Sequence, residues 1–296
     1  MTKESNSPPT DISEPAPCEI HIAVVQAGTG AVDLISTEAS LSKGRIKRAM
    51  DCGAVWLTRG SNTQRLRRAK RPLRVSDRVH LYYNEAVLTA TAPIPTLIAD
   101  NGGYSVWDKP CRLYSQGSKW GDHCTVTRYA EKHLQPQRNA FVVHRLDRAA
   151  SGLILVAHHK HIAALLARLF RERRIDKRYR VHTAGRVSDV GKTTHIDQPI
   201  DGKSARSHIT MLEYDATRSV SILDVSIETG RKHQIRRHLA ERGFPVIGDR
   251  LYGSSEVSTD LHLRAYAVSF LCPVSGSPVS FEVNAAPLRP AAGEPR

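Results

Sequence analysis

The chain has 296 residues, with 43 Lys and Arg against 29 Asp and Glu, a formal net charge of +14 and a pI near 9.8. That length suits one large domain plus a small one, and the basic excess points to an anionic partner such as nucleic acid. No apolar run is long enough to span a membrane, no signal-peptide pattern opens the chain, and five cysteines without a CxxC pair argue against a zinc site or disulfide framework and fit a reducing cytoplasm.

Residues 1–17, rich in Ser, Pro, Thr and Glu, have little to bury and are expected to form a disordered tail. Over 18–26, Ile20, Ile22 and Val24 alternate as in a strand. A first helix is poorly defined before Ser40. Ser42 can then cap a helix that buries Ile46, Ala49 and Met50 and ends at Gly53, with Lys43, Arg45, Lys47 and Arg48 on its other face and flanks. Residues 54–57 read as a strand, and Val79, Leu81 and Tyr83 as another. Between them runs a long basic loop in which Arg59, Arg65, Arg67, Arg68, Lys70, Arg71, Arg74 and Arg78 face only Asp77. Lys43, Arg45 and Lys47 on the helix and Arg67, Arg68, Lys70 and Arg71 on the loop together suit a phosphate-contacting patch.

Residues 85–96, with Pro93 and Pro95, read as a linker. A strand pair follows over 97–107, turned at Asn101-Gly102-Gly103 and closed by Lys109-Pro110. Next, a charged turn, His144-Arg145-Leu146-Asp147-Arg148, separates Phe141, Val142 and Val143 from a continuous apolar run over 153–157, the pattern of a buried strand. A carboxylate among three cations, between two buried segments, is the arrangement of a positioned reactive group, although a solvated turn with a local Arg–Asp pair has the same spacing. Ile162, Leu165, Leu166 and Leu169 mark an amphipathic helix with a basic end over 171–174. Tyr179 sits in the next strand. The strand over 220–227 slips phase between Ile222 and Leu223, as at a bulge. A last helix over 232–242 stops at Gly243. His158, His159 and His161 lack acidic or thiol companions, so no metal site is expected. Hairpins mixed with separate helices, and no internal repeat, predict an α+β fold.

His144-Arg145-Leu146-Asp147-Arg148-Ala149-Ala150-Ser151-Gly152 and the apolar run after it resemble the HRLDxxTSGLLLLA signature of the RluA-type family of RNA pseudouridine synthases. Lys177 and Tyr179 are similar to that family's K-x-Y segment. Residues 229–239 are similar to TGRTHQIRxHL, and Pro245, Ile247, Gly248, Asp249, Tyr252 and Gly253 to G-x-P-I-x-GD-x-x-YG. The entry strand ending at Lys109-Pro110 resembles the family's N-K-P. Residues about 36–84 resemble a small RNA-binding module first described in a small-subunit ribosomal protein, which usually precedes the catalytic domain in this family.

The resemblance implies a catalytic domain with a mixed, largely antiparallel sheet flanked by helices and loops, preceded by a small α/β RNA-binding module. The domains expected are a tail over 1–17, the module over 18–91 and the catalytic domain over 92–290. It implies conversion of uridine to pseudouridine. The N1–C1′ bond breaks, the uracil turns, and C5 joins C1′, without redox change and without a cofactor. Asp147 is the implied catalytic carboxylate, as nucleophile or base. Arg236 would keep it charged, Tyr179 would stack on the target base and move a proton late in the reaction, and Arg145 would fill the space left by the extruded base or bind phosphate. The implied partner is RNA, large-subunit ribosomal RNA first and transfer RNA second, bound by a cytoplasmic monomer.

Two positions depart from the family pattern: Ala150 replaces a Thr, and Lys232 replaces a Thr after TGR. A catalytically silent RNA-binding factor would not need Asp147, Tyr179 and Arg236 together. A protein kinase would need Asp directly after His144-Arg145, and Leu146 stands there.

Overall fold

The structure is a computed structural model that describes residues 16–254 and 259–285, so the expected tail lies outside the described residues apart from its last two. Contacts divide the chain into two compact units, Met1–Thr91 with Gly117–His123, and Ala92–Gln116 with Cys124–Arg296.

In the first unit, strands β1 (Cys18–Ala23), β2 (Val55–Arg59), β3 (Asn62–Arg65) and β4 (Arg78–Tyr83) form an antiparallel sheet in the order β1-β4-β2-β3. Helices α1 (Ala31–Ala39), α2 (Lys43–Asp51) and α3 (Glu85–Thr89) accompany it. As expected, the Ser42 side chain caps α2, and Ile46, Ala49 and Met50 enter a core with Val55, Leu57, Val79 and Leu81. Helix α1 fills the stretch that gave no clear helix signal. Gly30 at its N-cap offers no side-chain bond, and burial of Ala31, Val32 and Ile35 holds it instead. Part of the basic loop is the strand β3. Arg65 and Arg67 ion-pair with Asp122 in Gly117–His123, and Arg59 with Asp77. The stretch read as a linker contains α3, capped by the Asn84 side chain.

The second unit holds β5 (Thr96–Asp100), β6 (Tyr104–Lys109), α4 (Val126–His133), β7 (Phe141–Val142), β8 (Ser151–Ala157), α5 (Lys160–Arg171) and β9 (Ile175–Ala184). After these come β10 (Thr193–Ile196), β11 (Ser207–Asp215), β12 (Val220–Ile227), α6 (Gln234–Ala240), β13 (Leu263–Leu271) and β14 (Pro278–Glu282). Among the described residues the strands make one sheet in the order β10-β11-β12-β9-β13-β8-β6-β5, with β14 on β13 and β7 on β8. All its pairings are antiparallel except β8 with β13, where Ser151 and Gly152 face Arg264 and Ala265. The fold is α+β, with a mixed, mostly antiparallel sheet.

Every residue of β8 is buried. Leu153, Leu155 and Ala157 pack with Ile162, Leu166 and Leu169 of α5, while Ile154 and Val156 pack with Val126 and Ala130 of α4. Coverage on both faces explains a continuous rather than alternating apolar run. Each buried Leu, Ile or Val contributes about 1.5–3 kcal/mol relative to exposure. Leu165 departs from the expected apolar face of α5 and is 39% exposed. The register shift lies in β11 between Met211 and Glu213, opposite the Ile222–Leu223 step where β12 changes phase. The last helix is shorter than expected, because His233 takes a left-handed conformation (φ 54°) just before it.

Candidate active site

The turn between β7 and β8 is tied down at three points. His144 Nε2 accepts the Leu155 amide at 3.0 Å, and its ring stacks on Phe170 with centroids 4.3 Å apart. Burial, with the Lys177 charge adding, pulls the His144 pKa down to about 3, so the ring stays neutral and able to accept. Ser115 Oγ donates to the Leu146 carbonyl at 2.7 Å and accepts its amide at 3.0 Å. Lys109 Nζ, fully buried, donates to the carbonyls of Ala150, Leu113 and Pro110 at 2.6, 3.0 and 3.1 Å. Burial pulls the Lys109 pKa down to about 8. Asp147 is thereby held between fixed neighbours, with its side chain 27% exposed.

A second set of ties prepares α6. Gln234 Oε1 accepts from Thr229 Oγ1 at 2.6 Å and from the Arg231 amide at 3.1 Å, while its Nε2 donates to the Arg206 carbonyl and to Ser207 Oγ. This aims Arg236 inward, where it is 4% exposed. Its Nε and Nη2 donate to the two oxygens of Asp249 at 2.7 Å each, and Nη1 donates to Asp147 Oδ2 at 3.1 Å. Burial pushes the Asp249 carboxyl up, but Arg236 and the amides of Leu251 and Tyr252 outweigh it and hold it below the ordinary range. Arg236 is pushed the opposite way by burial, and its two carboxylates hold its pKa above the usual value.

The other Asp147 oxygen faces His233, with Oδ1 to Nε2 at 3.7 Å. His233 Nδ1 lies 2.9 Å from the Tyr252 hydroxyl. Burial draws the His233 pKa down, Arg236 and Lys232 push the same way, and Asp147 opposes them. Tyr179 on β9 is buried, and burial together with Asp147 drives its hydroxyl pKa up, so it stays a phenol.

Of these groups, His144, Asp147, Tyr179, His233 and Gln234 line a cleft of about 840 Å³, the size of a pocket for a small-molecule ligand, and Arg236 is joined to it through Asp147. Arg145, Arg148, Arg171, Arg173, Lys177 and Arg231 also line it against the carboxylates of Asp147 and Glu228, so the walls are mainly basic. Asp147, Tyr179, Arg236 and Arg145 therefore come together. Lys43, Arg45, Lys47, Arg67, Arg68, Lys70 and Arg71 belong to the first unit. There Lys43 pairs with Asp33, Arg45 lies 3.8 Å from Glu85, and Arg67 is held by Asp122 and the Asp51 carbonyl. Lys47, Arg68 and Lys70 are exposed, and Arg71 is half-buried. Four groups had no role assigned from sequence: Asp249, His233, Tyr252 and Lys109. All four stood in quoted motifs, but their contacts with Arg236, Asp147 and the turn that carries it depend on tertiary closeness. Chemically, the site offers a carboxylate oriented through one oxygen and a neutral imidazole beside the other.

Residues 103–241 match the family model for RNA pseudouridylate synthase. An uncharacterized RNA pseudouridine synthase of Aquifex aeolicus is 32% identical over 277 residues, covering 82% of this chain and 85% of that protein. The dual-specificity RNA pseudouridine synthase RluA of Escherichia coli is 31% identical over 198 residues, covering 61% of this chain and 88% of its own length. Ribosomal large subunit pseudouridine synthase D of Zymomonas mobilis is 30% identical over 169 residues, covering 48% of this chain and 52% of its own length.

Proposed function

Because the chain belongs to the RluA-type family of RNA pseudouridine synthases, we propose that its basic cleft isomerises a uridine of large-subunit ribosomal RNA. The observation that carries this reading is the 3.1 Å pair of Arg236 and Asp147 at the cleft. It fixes an anionic carboxylate where an extruded nucleotide would sit. Asp147 acts on the sugar or base as nucleophile or base, with Oδ1 left available while Arg236 holds Oδ2. Tyr179 stacks on the uracil, and Arg145, exposed at the rim, takes the space the base vacates or holds a phosphate.

The ribosomal target is supported by the printed name of the Zymomonas mobilis relative. A second RNA class, transfer RNA, is the alternative, favoured by the dual specificity in the Escherichia coli relative's name. The first unit serves as an RNA-binding module over 18–91 and the second as a catalytic domain over 92–290, and the exposed Lys47, Arg68 and Lys70 of the module suit phosphates. The protein acts as a monomer in the cytoplasm, a compartment that five cysteines outside any disulfide suit. Among the described residues no helix is long and apolar enough to cross a membrane.

Asp147→Asn tests the reading. The amide keeps shape but cannot be the anion, so RNA affinity should stay within about twofold while turnover falls by more than about 10³-fold, the range of a lost catalytic group. Substantial turnover by the variant on an RNA that the wild type isomerises would rule out Asp147 as the reacting carboxylate.

A further inference from the structure

We propose that His233 is the base that takes the C5 proton at the end of the reaction, an inference that rests on the uridine isomerisation read above. When C5 bonds to C1′ it becomes tetrahedral and still carries its hydrogen, leaving a C6–N1 double bond. To finish the product, the C5–H bond breaks and its electron pair forms the C5–C6 double bond. The C6–N1 pair moves onto N1, which takes a proton from solvent. The C5 proton goes to His233 Nε2 and then returns to solvent, so atoms and electrons balance without any oxidant or reductant.

Position favours His233. Its Nε2 faces Asp147 Oδ1 at 3.7 Å, beyond a hydrogen bond, and both residues line the same cleft. Its Nδ1 is engaged by the Tyr252 hydroxyl at 2.9 Å, which leaves Nε2 as the nitrogen facing the cleft. The left-handed backbone at His233 (φ 54°) is an uncommon conformation for a side-chain-bearing residue and sets the ring apart from the helix that follows. Asp147, Arg236, Lys232, Asp249 and Tyr252 surround it; burial, with the charges of Arg236 and Lys232, draws its pKa below the ordinary imidazole value against the pull of Asp147 and Asp249. The imidazolium formed on taking the proton would stand beside the Asp147 carboxylate, which stabilises it.

The other groups at the site suit the step less well. Tyr179 is held as a phenol by burial and by Asp147, and a phenol does not accept a carbon-bound proton. Asp147 is tied to Arg236, and the earlier cleavage already needs it. His144 has its Nε2 occupied by the Leu155 amide.

The test is single-turnover kinetics at saturating RNA, with uridine or 5-deuterouridine at the target, for the wild type and His233→Gln. Glutamine keeps bulk and a polar contact to Tyr252 but is no base. The variant should bind RNA as the wild type does, form product about 10²–10⁴-fold more slowly, and show a larger slowing by deuterium than the wild type shows. A variant that reacts at the wild-type rate, or one that slows without a larger deuterium effect, would overturn the assignment. The second of these would leave His233 merely positioning Asp147. If His233→Gln does not fold, Tyr252→Phe removes only the hydroxyl at Nδ1 and should raise the deuterium effect with a smaller loss of rate; an unchanged effect would count against the proposal. A wild type inactive on every RNA tried would instead overturn the isomerase reading itself.

Discussion

Asp147 can act only while the turn that carries it stays in place, and His144 is the tie most sensitive to acid. Its folded pKa of about 3 lies below the unfolded value of about 6.5. Between those values the unfolded chain binds a proton that the folded protein refuses, so stability is complete above pH 6.5 and declines as pH falls toward 3. By pH 5 the loss from this one group is about 2 kcal/mol. Urea unfolding at pH 7 and pH 5 should therefore show the wild type losing about 2 kcal/mol more than His144→Gln. Equal losses in the two proteins would show that His144 is not the acid-sensitive tie. In the sequence, the carboxylate and its arginine partner could be picked out because each stands in a contiguous motif. The neutrality of His144 could not, since it depends on the amide of Leu155 and the ring of Phe170 arriving from elsewhere. The same holds for Asp249, whose bond to Arg236 joins two motifs across a buried pair.

Strand β8 connects that turn to the rest of the sheet, and its parallel step beside β13 leaves no room for a side chain at its second residue. Gly152 has φ +109°, and a Cβ there would lie 2.1 Å from the Ala265 carbonyl oxygen and 2.6 Å from its nitrogen. Gly152→Ala must push the two strands apart, which should cost at least about 2 kcal/mol and appear as a lower Tm or loss of folded protein. An unchanged Tm would mean that the strands do not meet this closely. The run over 153–157 announced β8 because helices cover both of its faces, and the α2 cap at Ser42 was equally visible. Elements without such local marks were missed. Helix α1 has no side-chain cap, and β3 is a polar four-residue strand held by pairing to β2. Leu165 fitted the helical spacing yet faces solvent, because spacing identifies a stripe and not its edges.

The charge of +14 placed the protein among partners of nucleic acid before any motif was read. Where that charge is available was harder to see. Arg65 and Arg67 looked unopposed in sequence, but Gly117–His123 joins the first unit and brings Asp122 to both. A segment that leaves one unit to complete another gives no periodic signal, so the division of labour between the units rests on their residues one by one. The cleft, with Asp147 held by Arg236 among basic walls, is the proposed place where RNA is modified. Mapping pseudouridine across all cellular RNA, with the gene deleted and then restored as wild type or as Asp147→Asn, tests this in the setting where the protein works. Deletion should abolish pseudouridine at one or more positions of large-subunit ribosomal RNA, the wild type should restore it, and Asp147→Asn should not. Pseudouridine unchanged at every position after deletion, or restored equally by Asp147→Asn, would contradict it.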